Sequence, residues 1–323
     1  MGINRDKPNR WKTDIAQSVD LYNQWFMDFA PTTFRRTRVE TTKAVELALK
    51  ATRNLTDISP ELLMAQPAVL PMLRMSTCPP IARDRLIGLA GVSKTLVMSM
   101  EDATTPRIPP RMPSGLLQAD LIKMGEILRK LADPDIFVWL SRPSAPTPQE
   151  ITRAATIVAD RLCGSASDPI VRNEQERRQL KKVGDWLIAK GYALANAGTK
   201  YDAMMPGTFA LRMNVPIQLI NDKGITKQVN IPIDAAIMPL KAKRGALPVM
   251  IEAKSAGDFT NTNKRRKEEA IKMQQLKSTH GGGVKFVLFL CGYFGSDYLG
   301  YEAAEGIDWV WEHRLSDLEK LGL

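Results

Sequence analysis

The chain is 323 residues long, with 44% hydrophobic residues and a formal net charge of +10, enough to bury one large core or two modest ones. It carries no apolar run of about eighteen residues and no basic-apolar leader, so neither a membrane span nor a secretory signal is expected. Three widely spaced cysteines (Cys78, Cys163, Cys291) fit the reduced thiols of a cytoplasmic protein rather than a disulfide framework or a zinc site, and two histidines are too few for a histidine-rich metal centre.

Residues 1–10 read as a loose polar arm. Residues 11–29 have helical spacing (Ile15, Val19, Trp25, Phe26), and 41–53 repeat it with good helix formers. Pro60, Pro67, Pro71, Pro79 and Pro80 cut the next section into short pieces. A longer helix is predicted over 81–100, with Arg83-Asp84-Arg85 as an internal salt-bridge pattern. Another follows over 115–132, with Leu117, Leu121, Met124 and Leu128 on its apolar side. Thr147-Pro148-Gln149-Glu150 starts a helix that reaches Cys163, with threonine as N-cap and Pro148 at the first helical position. Almost nothing here reads as strand, so residues 1–168 are expected to form a mainly helical region.

Residues 169–323 change character and read as an α/β unit. A charged helix over 172–190 precedes a short strand at 192–194. Residues 209–220 and 226–237 form a candidate hairpin around Asn221-Asp222-Lys223-Gly224. A strand over 248–253 and a basic helix over 262–279 follow. The unbroken apolar run at 284–291 suits a strand buried on both faces, and a helix over 307–321 closes the chain. Trp186, Trp309 and Trp311 belong to the expected core.

The chemistry concentrates in the middle of this unit. Asp234 ends the apolar run Ile231-Pro232-Ile233, and Glu252-Ala253-Lys254 is the only Asp/Glu-x-Lys triplet in the chain. Strand alternation puts Glu252 and Lys254 on one face, roughly 6–7 Å apart along the chain. Two adjacent strands would thus gather two carboxylates and an ammonium at one sheet edge. Such a set offers hard oxygen donors to a divalent cation and a lysine that can orient or deprotonate a water. Between residues 241 and 285 there are eleven Lys/Arg against four acidic residues, a field that attracts a polyanion.

Asp234…Glu252-Ala253-Lys254, continued by the stretch from Ser255 to Ala270, resembles the PD-(D/E)xK signature of type II restriction endonucleases, most closely the XamI-like ones, over about residues 171–311. The proline stands at 232, one place before its position in the signature. The resemblance implies an α/β (α+β) restriction-endonuclease-like core, a mixed central sheet flanked by helices. It also implies Mg²⁺-dependent cleavage of both strands of a short palindromic DNA site, with Mn²⁺ as a substitute. Asp234, Glu252 and the Ala253 carbonyl would hold the metal, and Lys254 would activate water. Glu268, on the basic helix, and Glu176, on the helix before the sheet, are auxiliary acidic candidates; Glu269 reads as a helix salt bridge with Arg265. Ser255, Asp258, Asn261, Asn263, Lys264, Arg265, Arg266 and Lys267 are the DNA-binding candidates, with Asn263 also suited to cap the helix. Double-stranded DNA, a second copy of the chain in a homodimer and a cognate DNA methyltransferase are the implied partners, in a prokaryotic cytoplasm. The helical half would embrace DNA or make dimer contacts. Competing readings are a structure-selective or repair nuclease, or an inert DNA-binding or regulatory protein, on the same core.

Overall fold

The computed structural model of the protein describes residues 2–220, 226–243, 245–260 and 262–323, the side chains of residues 220 and 263–266 excepted. The expected turn at 221–224, the role given to Asn261, and the side-chain roles given to Asn263, Lys264, Arg265 and Arg266 lie outside the described residues. The chain divides into two compact units, Met1–Phe29 with Arg172–Leu323, and Ala30–Val171. The second boundary falls between Val171 and Arg172. The first 29 residues, however, belong with the second half rather than with the helical region.

Two long helices carry these boundaries, α1 (Pro8–Ala51, 44 residues) and α7 (Pro148–Ala189, 42 residues). Each was expected as two pieces, and each continues through an internal proline, Pro31 and Pro169. The reason is a buried stripe that hydropathy alone does not show. Thr33, Thr37, Thr41, Val45 and Leu49 recur every fourth residue and are all buried, and the Thr41 hydroxyl donates to the Thr37 carbonyl at 2.9 Å. In α7 the buried Ser167 continues the stripe of Ala159 and Cys163.

In the unit Ala30–Val171, short helices α2 (Pro60–Ala65), α3 (Leu70–Met75), α4 (Arg83–Ala90) and α5 (Lys94–Met100) join α6 (Ser114–Leu131). They surround a core that includes Leu70, Leu86, Leu96, Leu121 and Phe137. The single helix expected over 81–100 is broken at Gly91, which adopts φ +59°, a left-handed cap that favours glycine. The Asp120 carboxylate then accepts the Ser93 amide at 3.0 Å and fixes the restart. Arg83 faces Glu101 at 3.8 Å instead of Asp84. Thr147 caps α7 as expected, the Glu150 amide donating to its hydroxyl at 3.3 Å, and Glu150 adds the reciprocal bond, its carboxylate accepting the Thr147 amide at 2.8 Å.

The other unit is a sheet of six strands in the order β1 (Ala193–Leu194), β2 (Thr208–Ile220), β3 (Thr226–Ile237), β4 (Val249–Ala256), β5 (Lys285–Gly292) and β6 (Asp308–Trp311). The sheet is mixed: β2–β3 and β3–β4 are antiparallel, and β1–β2, β4–β5 and β5–β6 are parallel. Helices α8 (Thr262–His280) and α9 (Ser296–Ala304) pack on one face. There Met273, Leu276, Tyr298 and Leu299 join Met250, Leu288, Leu290, Trp309 and Trp311. On the other face Val183 and Leu187 of α7 meet Ile251, Val287, Phe289 and Val310. β5 is therefore buried on both faces, as its unbroken apolar run requires.

Two expectations fail in this unit. Residues 307–321 do not form a helix: Asp308–Trp311 pair with β5, and Glu312–Leu321 follow as a 3-10 helix. Tryptophan and valine suit a pleated surface, and an available parallel edge decides the ambiguity. Nor is the N-terminal arm loose. The Asp308 carboxylate accepts the amides of Ile3 at 2.5 Å and Asn4 at 2.8 Å. The Asn4 side chain donates to the Trp309 carbonyl at 2.8 Å, and Arg314 grips Asp14 at 2.5 Å. No helix among the described residues is long and apolar enough to cross a membrane.

Candidate active site

The site forms where β3 and β4 part. Their ladder runs Ile237↔Val249, Ala236↔Met250, Ala235↔Ile251 and stops. At the next step the Asp234 carboxylate accepts the Ala253 amide at 2.8 Å, so a side chain takes up a backbone donor that the separating strands leave open. Asp234 is thereby held against the strand that carries Glu252 and Lys254.

Glu252 is buried, and one of its oxygens faces two ammoniums, Lys254 at 3.2 Å and Lys272 at 2.8 Å. Lys272, from α8, also donates to the Pro232 carbonyl at 2.9 Å. The second Glu252 oxygen, Oε2, is buried without a hydrogen-bond partner among the described residues. Lys254 contacts Glu269 of α8 at 3.1 Å, and Glu269 is itself only 2% exposed. Behind them lies Glu302 of α9, also buried.

The electrostatics follow from this crowding of buried charge. Burial first, and the neighbouring Glu252 second, push the Asp234 carboxyl up to about 6, against the pull of the Ala253 amide. Burial works against the charge of Lys254, but Glu252 and Glu269 outweigh it and hold its pKa above the ordinary lysine value. Glu302 is pushed up to about 8, mainly by burial and then by Glu269.

This donor set fits a hard divalent cation. Two carboxylates converge, one keeps an unpartnered buried oxygen, and the other has its charge disfavoured by its neighbour, which a cation would relieve. Among the described residues no group of three or more His, Cys, Asp or Glu side chains gathers as a cation site. Further ligands would be the Ala253 carbonyl, water or a substrate oxygen.

The remaining sequence candidates divide. Glu176 pairs with Arg212 at 3.0 Å and is close enough to raise the Asp234 pKa. Arg212 lies between the pairs Leu211↔Ala235 and Met213↔Ile233, opposite Asp234, with an unusual φ of +56°. Glu268 is exposed; the acid that α8 brings to Lys254 is the neighbouring Glu269, not Glu268. Ser255 is half-buried in β4 opposite Cys291. The Asp258 carboxylate accepts the Thr260 amide at 2.8 Å and fixes the loop after the strand, while Lys267 is exposed.

Sequence reasoning missed Lys272, Gln179 and the place of Glu269. Buried Gln179 donates to the carbonyls of Lys254 at 3.3 Å and Phe289 at 3.2 Å, fastening α7 to β4 and β5. A signal existed for α8: Glu269, Lys272, Met273 and Leu276 share one helical stripe, and Met273 and Leu276 enter the core.

A family model described as XamI restriction endonuclease matches residues 53–311. The Type II restriction enzyme SalI of Streptomyces albus G is 52% identical over 322 residues, 99% of this chain and 99% of that protein. Among solved structures, the protein VC1899 from Vibrio cholerae aligns over 90% of this chain and 55% of that one, at 12% identity and a TM-score of 0.26, too loose a likeness to bear on fold or function.

Proposed function

The chain belongs to the XamI restriction endonuclease family, and from that premise we propose that Asp234, Glu252 and Lys254 are the catalytic centre of a PD-(D/E)xK core that cuts duplex DNA at a short palindromic site with Mg²⁺. The broader statement is plain: this is a type II restriction enzyme, a site-specific deoxyribonuclease and phosphodiester hydrolase whose substrate is double-stranded DNA. Enzymes of this type generally use divalent metal ions. The observation that carries the assignment is the end of the β3–β4 ladder, where Asp234 binds the Ala253 amide beside a buried, half-partnered Glu252.

In this reading Asp234, Glu252 and the Ala253 carbonyl hold the ion, which supplies Lewis-acid stabilisation of charge on the scissile phosphate. The Lys254 ammonium orients the attacking water and stabilises the negative charge that builds up on the phosphate oxygens. Glu269 fixes the Lys254 side chain, and Lys272 pairs with the Glu252 oxygen that also meets Lys254. Lys267 and the basic residues before it on α8 neutralise DNA phosphates. The exposed Glu176–Arg212 pair borders the site on the side of α7.

A palindromic site is matched by a two-fold dimer, so the working form on DNA is a homodimer. The helical unit Ala30–Val171 embraces DNA or supplies dimer contacts. The enzyme acts in the cytoplasm, beside a methyltransferase that protects the host's own sites. Digestion of unmethylated phage DNA with Mg²⁺ tests the reading, run beside a Lys254→Ala variant and a chelated control. Discrete fragments that vanish in both controls are expected. Intact DNA across several metals and salt concentrations, with binding retained, overturns it.

A further inference from the structure

Beyond the catalytic row, β2 and β3 continue as a two-stranded ribbon whose faces differ in kind. Met213, Val215, Ile217 and Ile233 are buried in the cluster that contains Met273 and Leu276 of α8. On the opposite face Asn214, Gln218, Gln228 and Asn230 are exposed, and none of these four side-chain amides has a hydrogen-bond partner among the described residues. The register sets Gln218 against Gln228, Asn230 against Pro216 and Asn214 against Pro232, and the ladder skips Arg212 and Asp234 between Met213↔Ile233 and Leu211↔Ala235. The loop over residues 194–202 faces this ribbon across a groove of about 800 Å³, lined among others by Asn196, Lys200, Arg212, Asn214, Gln228 and Asn230.

The chemistry of this lining differs from that of a phosphate-binding surface. The basic excess of the chain lies in residues 241–285, whereas the ribbon offers uncharged amides, each both donor and acceptor. Amides match the paired donor and acceptor of an adenine edge, as arginine matches guanine, and the major groove admits a two-stranded ribbon. Exposed rows recur about every 6.8 Å along the strands, close to two base-pair rises of about 3.4 Å.

The ribbon is also held in place from behind. The Gln218 backbone N–H donates to the Thr279 hydroxyl at 2.9 Å, and the His280 ring Nε2 donates to the Pro216 carbonyl at 2.8 Å. Tyr201 of the facing loop stacks at a tilt on His280, with ring centroids 4.9 Å apart. One end of α8 thus fastens both walls of the groove, the preorganisation that base discrimination needs.

We propose that this groove reads base edges of the recognition sequence from the major groove of duplex DNA, with Asn214, Gln228 and Asn230 as reading side chains. The proposal rests on the restriction activity proposed above, and a wild-type control separates the two: a wild-type enzyme that makes no discrete cuts refutes that activity, not this assignment. Once the wild-type site is mapped, Asn214→Ala, Gln228→Ala, Asn230→Ala and the near-isosteric Asn230→Asp are assayed on the site and on every single-base variant of it.

The expected result is a loss of roughly ten- to a hundredfold at the cognate site, with discrimination relaxed at one base-pair position particular to each side chain. Thermal melts should remain at the wild-type value, because the side chains are exposed. Three outcomes overturn the proposal. The first is an unchanged cleavage profile. The second is an equal loss on all sequences with a shallower salt dependence, which marks phosphate contacts. The third is a weakened dimer with unchanged base preference, which marks a subunit interface.

Discussion

The two units treat buried charge in opposite ways. In the unit Ala30–Val171, Arg74 and Glu101 are both buried and meet at 2.5 Å, with a further Arg74 nitrogen on the Ile81 carbonyl. Asp133 receives Arg161 at 3.1 Å, and Asp120 receives the Ser93 amide. Each of these three carboxylates is met by a donor. In the other unit, Glu252 keeps a buried oxygen without a hydrogen-bond partner among the described residues, Glu269 and Glu302 crowd behind it, and Asp234 and Glu302 are pushed up to about 6 and about 8. Satisfied pairs hold an architecture, whereas an excess of buried carboxylate marks the proposed site, which a cation and a substrate phosphate would complete.

The largest expected effects come from exchanging one residue in each unit. Glu252→Gln should lower DNA cleavage by about 10³-fold or more with a small change in melting temperature. Arg74→Met should do the reverse, leaving the Glu101 side chain buried with the half-exposed Arg83 at 3.8 Å in place of its close partner, at a cost of about 3–5 kcal/mol, read by denaturant unfolding. If Arg74→Met melts like the wild type, the contrast between the units is wrong.

A second test uses pH. The Glu302 pKa in the folded chain, about 8, lies above its ordinary value of 4.5, so protonation favours folding. That contribution is complete below about pH 4.5 and is lost as pH rises to about 8. Glu302→Gln carries no charge at any pH. It should match the wild type near pH 5 and melt higher above pH 8, by about 2–4 °C for each kcal/mol regained. Parallel melting curves across that range would show that Glu302 is not held neutral. The smallest effect belongs to the helical unit: Thr147→Ala removes half of a reciprocal cap and should cost about 1 kcal/mol, without touching cleavage.

The placing of Asp234, Glu252 and Lys254 together was legible because strands encode their faces locally. Asp234 closes one apolar run, Glu252 and Lys254 alternate in another, and period two alone aligns them. The Thr147 cap was legible for the same reason, four residues being enough to specify it. What stayed hidden depends on partners far along the chain. Lys272 and Glu269 acquire meaning only when α8 lies over β4, and Gln179 only when α7 lies under β5. Trp309 and Trp311 fit a helix or a strand until β5 offers its edge. Pro31 and Pro169 imply breaks that buried threonine and serine stripes override.

The fastening of Asn4 to Trp309 links residues 305 positions apart, and Asp14 to Arg314 spans nearly as far. During synthesis Asn4 and Asp14 therefore wait for these partners until 300 or more further residues have been made. At about 5–20 residues per second that interval is on the order of 15–60 s, and for its duration β6 and the strap across it do not exist. The unit is consequently built with a delay: it cannot close before residues 308–314 have been made, and a truncated product ending before residue 308 would lack the strand that completes the sheet.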